Sequence, residues 1–124
     1  MRGSKQDLPV VFEAGPMSTR QAEWGGMNVA IETAPTGADS TPLLKGLPDD
    51  RCQCPHWGYV ISGKMRVKYA DREELMVAGD AYYLAPGHSV FCEEAGSIVE
   101  FSPQDQYQQT MEVMFRNMQA LGEH

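Results

Sequence analysis

Between Cys52 and Pro103 apolar and polar positions trade places every residue or two, with a glycine or proline at nearly every interruption. The clearest stretch is Lys64 to Tyr69, where Met65, Val67 and Tyr69 alternate with Lys64, Arg66 and Lys68. Alternation with period two marks a strand with one face buried. Trp57 to Ser62, Glu74 to Val77, Ala81 to Leu84, Ser89 to Glu93 and Ile98 to Phe101 read as further strands. Corners fall at Gly63, at Ala70-Asp71-Arg72-Glu73, at Gly79-Asp80, at Pro86-Gly87 and at Ala95-Gly96. Upstream, Met27, Val29 and Ile31 share one face of a half-buried strand, and Val10-Val11-Phe12 suits an edge strand. Residues 34–50 carry Pro35, Gly37, Pro42, Gly46 and Pro48 and read as a loop interrupted by Leu43-Leu44. Then the period lengthens. Tyr107, Met111, Met114, Phe115, Met118 and Leu121 recur at steps of three and four, which is one apolar stripe on a helix. Ser102 suits its N-cap, Pro103 its first position and Gly122 its stop. The stripe would cover a barrel end or pair with a second subunit. The pattern predicts one domain over 1–124, with N-terminal strands at 8–33, a barrel core at 46–102 and a C-terminal helix at 103–121. The fold class is mainly β, a small antiparallel β-barrel with a C-terminal α-helix.

Composition narrows the partners. The 124 residues suffice for one core. Seventeen acidic against ten basic side chains leave a net charge of -7, which argues against nucleic acid, since phosphate binding needs clustered cations. No apolar run is long enough to cross a bilayer, and the first residues lack the apolar stretch of a signal peptide. A cytoplasmic protein with no membrane partner is expected. Three cysteines, an odd number, argue against a disulfide framework and leave metal binding, catalysis or plain burial.

The candidate chemistry begins at Asp50-Arg51-Cys52-Gln53-Cys54-Pro55-His56. An extended backbone would put Asp50, Cys52, Cys54 and His56 on one face. Thiolates with an imidazole favour zinc, with iron, nickel or copper as other divalent choices. The same residues can also serve as small buried hydrophobes and a hydrogen-bonded core histidine. In the second cluster His88, Val90 and Cys92 share a face. His88 opposite His56 would complete a three- or four-ligand site; alternatively it flanks a turn at the surface. Cys92 reads as an inert buried thiol. Glu100, in an otherwise apolar strand, either faces solvent or lines a cavity as a ligand or general base. Trp57, Tyr59, Met65, Tyr82 and Tyr83 are candidate cavity walls. His124, the last residue, carries no expected role. No nucleotide-binding, serine-hydrolase or zincin motif occurs.

Residues 46–102 resemble the cupins. Their first motif is G-x5-H-x-H-x3-4-E-x6-G and their second G-x5-P-x-G-x2-H-x3-N. Counted forward from Gly46, Cys52 and Cys54 stand where the two histidines fall. Counted back from Tyr59-Val60-Ile61-Ser62-Gly63, His56 falls on the glutamate and Cys52 on the second histidine. Both registers draw the ligands from Cys52, Cys54 and His56. In the second motif Gly79-Asp80 and Gly87 match, Val90 holds the histidine position and His88 stands two residues earlier. The resemblance implies an antiparallel barrel of about six to eight strands open at one end, a metal near its middle and a homodimer. The expected function is metal-dependent chemistry of dioxygenase, isomerase or lyase type on a small organic molecule. The metal would be held by some of Cys52, Cys54, His56 and His88, with Tyr59, Tyr82 or Glu100 as acid or base. The alternative is a non-catalytic small-ligand-binding module with a structural metal or none.

Overall fold

The computed structural model describes residues 1–122, so His124 lies outside the described residues. Seven strands precede one helix: β1 (Val10–Ala14), β2 (Met17–Trp24), β3 (Met27–Ala34), β4 (His56–Lys68), β5 (Glu73–Val77), β6 (Ala81–Leu84), β7 (Ser89–Pro103) and α1 (Gln104–Gly122). Two 3-10 turns, Thr41–Leu44 and Pro48–Asp50, give the expected loop between β3 and β4 its shape. Every pairing is antiparallel, in the order β1-β2-β3-β7-β4-β5, with β6 on the other end of β4. The mainly β architecture with one C-terminal helix is the one the residue pattern predicts.

Two expected corners are not corners. Gly63 and Ala95-Gly96 lie inside the long strands β4 and β7, which pass each other there through a run of bulges. Gly63 has φ +84°, and a side chain on it would strike the carbonyls of Glu94 and Ala95 at 2.6 and 2.7 Å. Gly96 in turn lies against the backbone of Ser62 and Gly63. Two glycines let two backbones touch, bulges bend both strands, and each strand serves both ends of the barrel. Hence β4 pairs with β6 through His56–Tyr59 and with β5 through Lys64–Lys68.

The N-terminal half departs more from the pattern. β2 (Met-Ser-Thr-Arg-Gln-Ala-Glu-Trp) has no apolar face, yet it pairs along its length with β3. Nor is β3 half-buried. Asn28 and Ala30 are as buried as Val29 and Ile31. Cross-strand register carries Glu32 and Ala34 to the cavity side with Ile98 and Glu100, so the more polar face of β3 looks inward. The helix begins one residue after the expected N-cap step, and Ser102 stays in β7, paired with Asn28.

The core has two parts. Val60, Met65, Val67, Tyr69, Met76, Leu84, Cys92 and Ile98 pack inside the barrel. Leu44, Cys52, Cys54 and Tyr107 pack at its helix end, with Met111 and Met114 against them. The apolar stripe of α1 thus meets the 3-10 turn at Thr41–Leu44, where Asn117 Nδ2 also donates to the carbonyls of Leu43 and Lys45, both at 2.7 Å.

Candidate metal centre and cavity

Backbone pairing brings the two sequence clusters together. Cys52 N donates to the His88 carbonyl at 2.8 Å, and Gly87 N donates back to the Cys52 carbonyl at 2.8 Å. Four residues on, His56 opens β4. Cys52 Sγ lies 3.5 Å from His56 Nε2, and the His56 and His88 rings meet edge to face with centroids 5.1 Å apart. Ligand atoms from Cys52, His56 and His88 lie within 4.8 Å of one another, and all three residues are buried. Such a group could hold a metal ion.

The protons are arranged for ligation. His88 Nδ1 lies 2.7 Å from the Ala85 carbonyl, which can only accept, so Nδ1 carries the proton and Nε2 keeps its lone pair. His56 Nδ1 lies 2.6 Å from Ser102 Oγ and 3.6 Å from Glu100 Oε2, which leaves its Nε2 facing Cys52. Burial pushes both imidazoles down to about 4, so both are neutral at pH 7. Burial also pushes the Cys52 thiol up to about 12, so without a cation the sulfur keeps its proton. A bound cation would displace that proton. Ser102, expected as a helix cap, instead orients a candidate ligand.

Cys54 stands apart. It is buried, its thiol lies 3.5 Å from the Pro55 carbonyl, and it packs with Leu44, Cys52 and Tyr107. Burial raises it to about 11. Its sulfur does not join the three-atom group. Cys92 is buried among apolar side chains, as expected.

Beside the three ligand candidates lies a cross-strand row that carries one carboxyl, Glu100. Ala30, Glu100, Gly58 and Tyr82 sit abreast on β3, β7, β4 and β6. A side chain on Gly58 would run into the Tyr82 ring and the Val99 carbonyl. The bare glycine leaves that space to Tyr82, whose hydroxyl donates to Glu100 Oε1 at 2.8 Å. Glu100 therefore faces inward, with 7% of its surface exposed. Two pairs further along, Glu32 lines the same cavity. Burial holds both carboxyls above the ordinary carboxylate range, and the charge of Glu100 lifts Glu32 further. Burial and Glu100 also keep the Tyr82 phenol protonated. Glu32 went unnoticed in the sequence although it interrupts Val29-Ala30-Ile31 as Glu100 interrupts Ile98-Val99.

Tyr59 is elsewhere. Before the bulges of β4 the odd residues point away from the cavity, so Trp57, Tyr59 and Ile61 are 46, 46 and 40% exposed, and beyond the bulges the parity reverses to bring Met65 and Val67 inward. Tyr83 and Phe101 flank Trp57 in register and are also exposed. Of the candidate cavity walls Met65 lines the space, whereas Trp57, Tyr59, Tyr82 and Tyr83 do not. The cavity measures about 750 Å³ and runs from Cys52, His56 and His88 to the inner side of α1.

No protein-family model matches the sequence, and neither does any curated protein. Solved structures do resemble it. An RmlC-like cupin from Shewanella frigidimarina superposes with a TM-score of 0.59 at 15% identity, over 82% of this chain and 88% of that one. The fold is that of a small cupin. KdgF from Halomonas sp. is similar with a TM-score of 0.53 at 17% identity, over 82% of this chain and 94% of that one. Apo-HppE gives 0.57 at 12% identity over 82% of this chain and 57% of its own length. In this cupin fold, Cys52, His56 and His88 meet at the wall of the barrel cavity.

Proposed function

We propose that the chain binds one divalent metal through Cys52 Sγ, His56 Nε2 and His88 Nε2 and acts on a small organic molecule in the cavity. The observation that carries this reading is the convergence of three buried ligand atoms on one point of a 750 Å³ cavity. One thiolate and two imidazoles suit tetrahedral zinc with a fourth position open. When bound, such an ion polarises a carbonyl or hydroxyl oxygen. The chain's own residues supply the rest. Ser102 and Ala85 orient the two imidazoles. Glu100 and Glu32, held toward neutral pKa by burial, pass protons to and from the bound molecule. Tyr82 fixes Glu100 and takes no proton itself. This arrangement favours proton-transfer chemistry of the isomerase or lyase type.

The outer row of Phe101, Trp57 and Tyr83, with Tyr59 beside it, supports a homodimer through that face. A net charge of -7 supports a partner other than nucleic acid, and a thiolate ligand suits the reducing cytoplasm. Elemental analysis of the purified chain tests the metal centre. One equivalent of a divalent metal in the wild type, lost in Cys52→Ala and in His88→Ala, is the expected result. Equal trace metal in all three would overturn the reading.

A further inference from the structure

The walls of the cavity are one-sided in charge. Glu32, Asp39, Glu100 and Glu112 line it, and among the described residues no lysine or arginine does. A carboxylate or phosphate entering this space would find no cation of the chain to meet it, beyond the two histidines assigned to the metal. The unpartnered groups are acceptors too. Glu100 is tied to Tyr82, whereas Glu32 makes no side-chain hydrogen bond or ion pair among the described residues. Elsewhere on the wall, Gln104 Oε1 is buried without a donor. A buried acceptor left unpaired costs about 1–3 kcal/mol, so Gln104 Oε1 favours a ligand that brings N–H groups, and the half-buried Glu32 can accept from the same ligand. The remaining wall is apolar and adaptable: Met17, Met65, Met76, Met111, Met114 and Met118 all reach the cavity. Thioethers pack closely on hydrocarbon of varied shape.

We infer that the cavity takes an apolar organic amine, its ammonium group set against Glu32 and its hydrocarbon body along the methionine wall. This names the ligand class for the metal-centred function proposed above and rests on that reading for its chemistry. The binding itself needs only the cavity. With no cation on the wall a carboxylate gains no partner there, whereas an ammonium set against Glu32 stabilises the ionised form of that carboxyl, and the difference sets specificity by charge.

The test uses hexylamine, hexanol and hexanoate, three probes with one hydrocarbon chain and different head groups. Each is titrated into the full chain in the presence of chelator and again after loading with zinc, with binding followed through the methionine methyl NMR signals. The expected order is hexylamine, then hexanol, then hexanoate, with at least tenfold between first and last under both conditions. Glu32→Gln is expected to bring hexylamine down to the level of hexanol and to leave hexanol unchanged. Glu32→Asp, which keeps the charge, is expected to retain the preference. Hexanoate binding as tightly as hexylamine would overturn the inference, and this comparison needs no variant to fold. So would a preference that survives Glu32→Gln, or one seen only with zinc, which would show the amine on the metal. Failure of the metal reading shows separately, as absence of bound metal in chain whose amine preference is intact.

Discussion

The two faces of β4 divide the molecule's properties. Its inner face carries His56, Gly58, Val60 and Met65, and its outer face carries Trp57, Tyr59 and Ile61. At the ligand end the inward residues are polar or small and each has a defined neighbour, His56 with Ser102 and Gly58 with Tyr82, while Val60 and Met65 further along join the apolar core. Outward residues are large, apolar and 40–46% exposed. In most half-buried strands the large apolar side chains face the core. At the His56–Tyr59 end of β4 the inner face borders a cavity lined by potential ligands, so chemistry occupies it there and the large side chains Trp57 and Tyr59 sit outside. Residue size is thus a poor guide to which face does the work.

The largest effects are expected on the inner face. Cys52→Ala or His88→Ala should weaken zinc binding by more than the ~10–100-fold that loss of an outer-shell partner costs. Competition with a chromophoric chelator reads this directly. Ser102→Ala touches no ligand atom but frees His56 Nδ1, and should fall within that ~10–100-fold range. Equal affinity in wild type and Ser102→Ala would break the claim that β7 orients the site.

Gly58→Val forces a side chain onto Tyr82 and the Val99 carbonyl. Overpacking of this kind costs about 1–3 kcal/mol, measurable by urea unfolding. The same variant should release Tyr82 from Glu100. A smaller, pH-dependent effect is expected from Glu32→Gln in metal-free chain. Burial raises the Glu32 pKa above its unfolded value, so its native carboxyl holds its proton longer than the unfolded one. The stability this gives is full below the ordinary carboxyl range and is lost as pH rises through neutrality. The variant should therefore match the wild type at acid pH and gain on it toward alkaline pH. On the outer face, Tyr59→Phe should change neither metal affinity nor monomer stability beyond about 0.5 kcal/mol. A loss of metal from Tyr59→Phe would erase the division between the faces.

Much of the fold was legible because strands of the barrel core alternate cleanly from Lys64 to Tyr69 and the helix stripe keeps its period from Tyr107 to Leu121. β2 was not, because its inward residues Met17, Thr19 and Gln21 border the cavity rather than a dry core. Gly63 and Gly96 read as strand ends, since sequence cannot distinguish a turn from two backbones crossing at a bulge. The sequence left His88 either opposite His56 or at a surface turn, and the backbone pairing of Cys52 with His88 is what brings the two rings together. The separation of Cys54 from Cys52 was not anticipated, since strict alternation would keep both on one face, whereas the chain between Cys52 and His56 is irregular. Ser102 carried a plausible capping role that hid its bond to His56.

X-ray absorption at the zinc edge of the loaded protein tests the central claim most directly. The account predicts one sulfur near ~2.3 Å and two imidazole nitrogens near ~2.0–2.1 Å, completed by a light fourth ligand. A shell with two sulfurs, which would bring in Cys54, or one built of oxygen and nitrogen alone would contradict it.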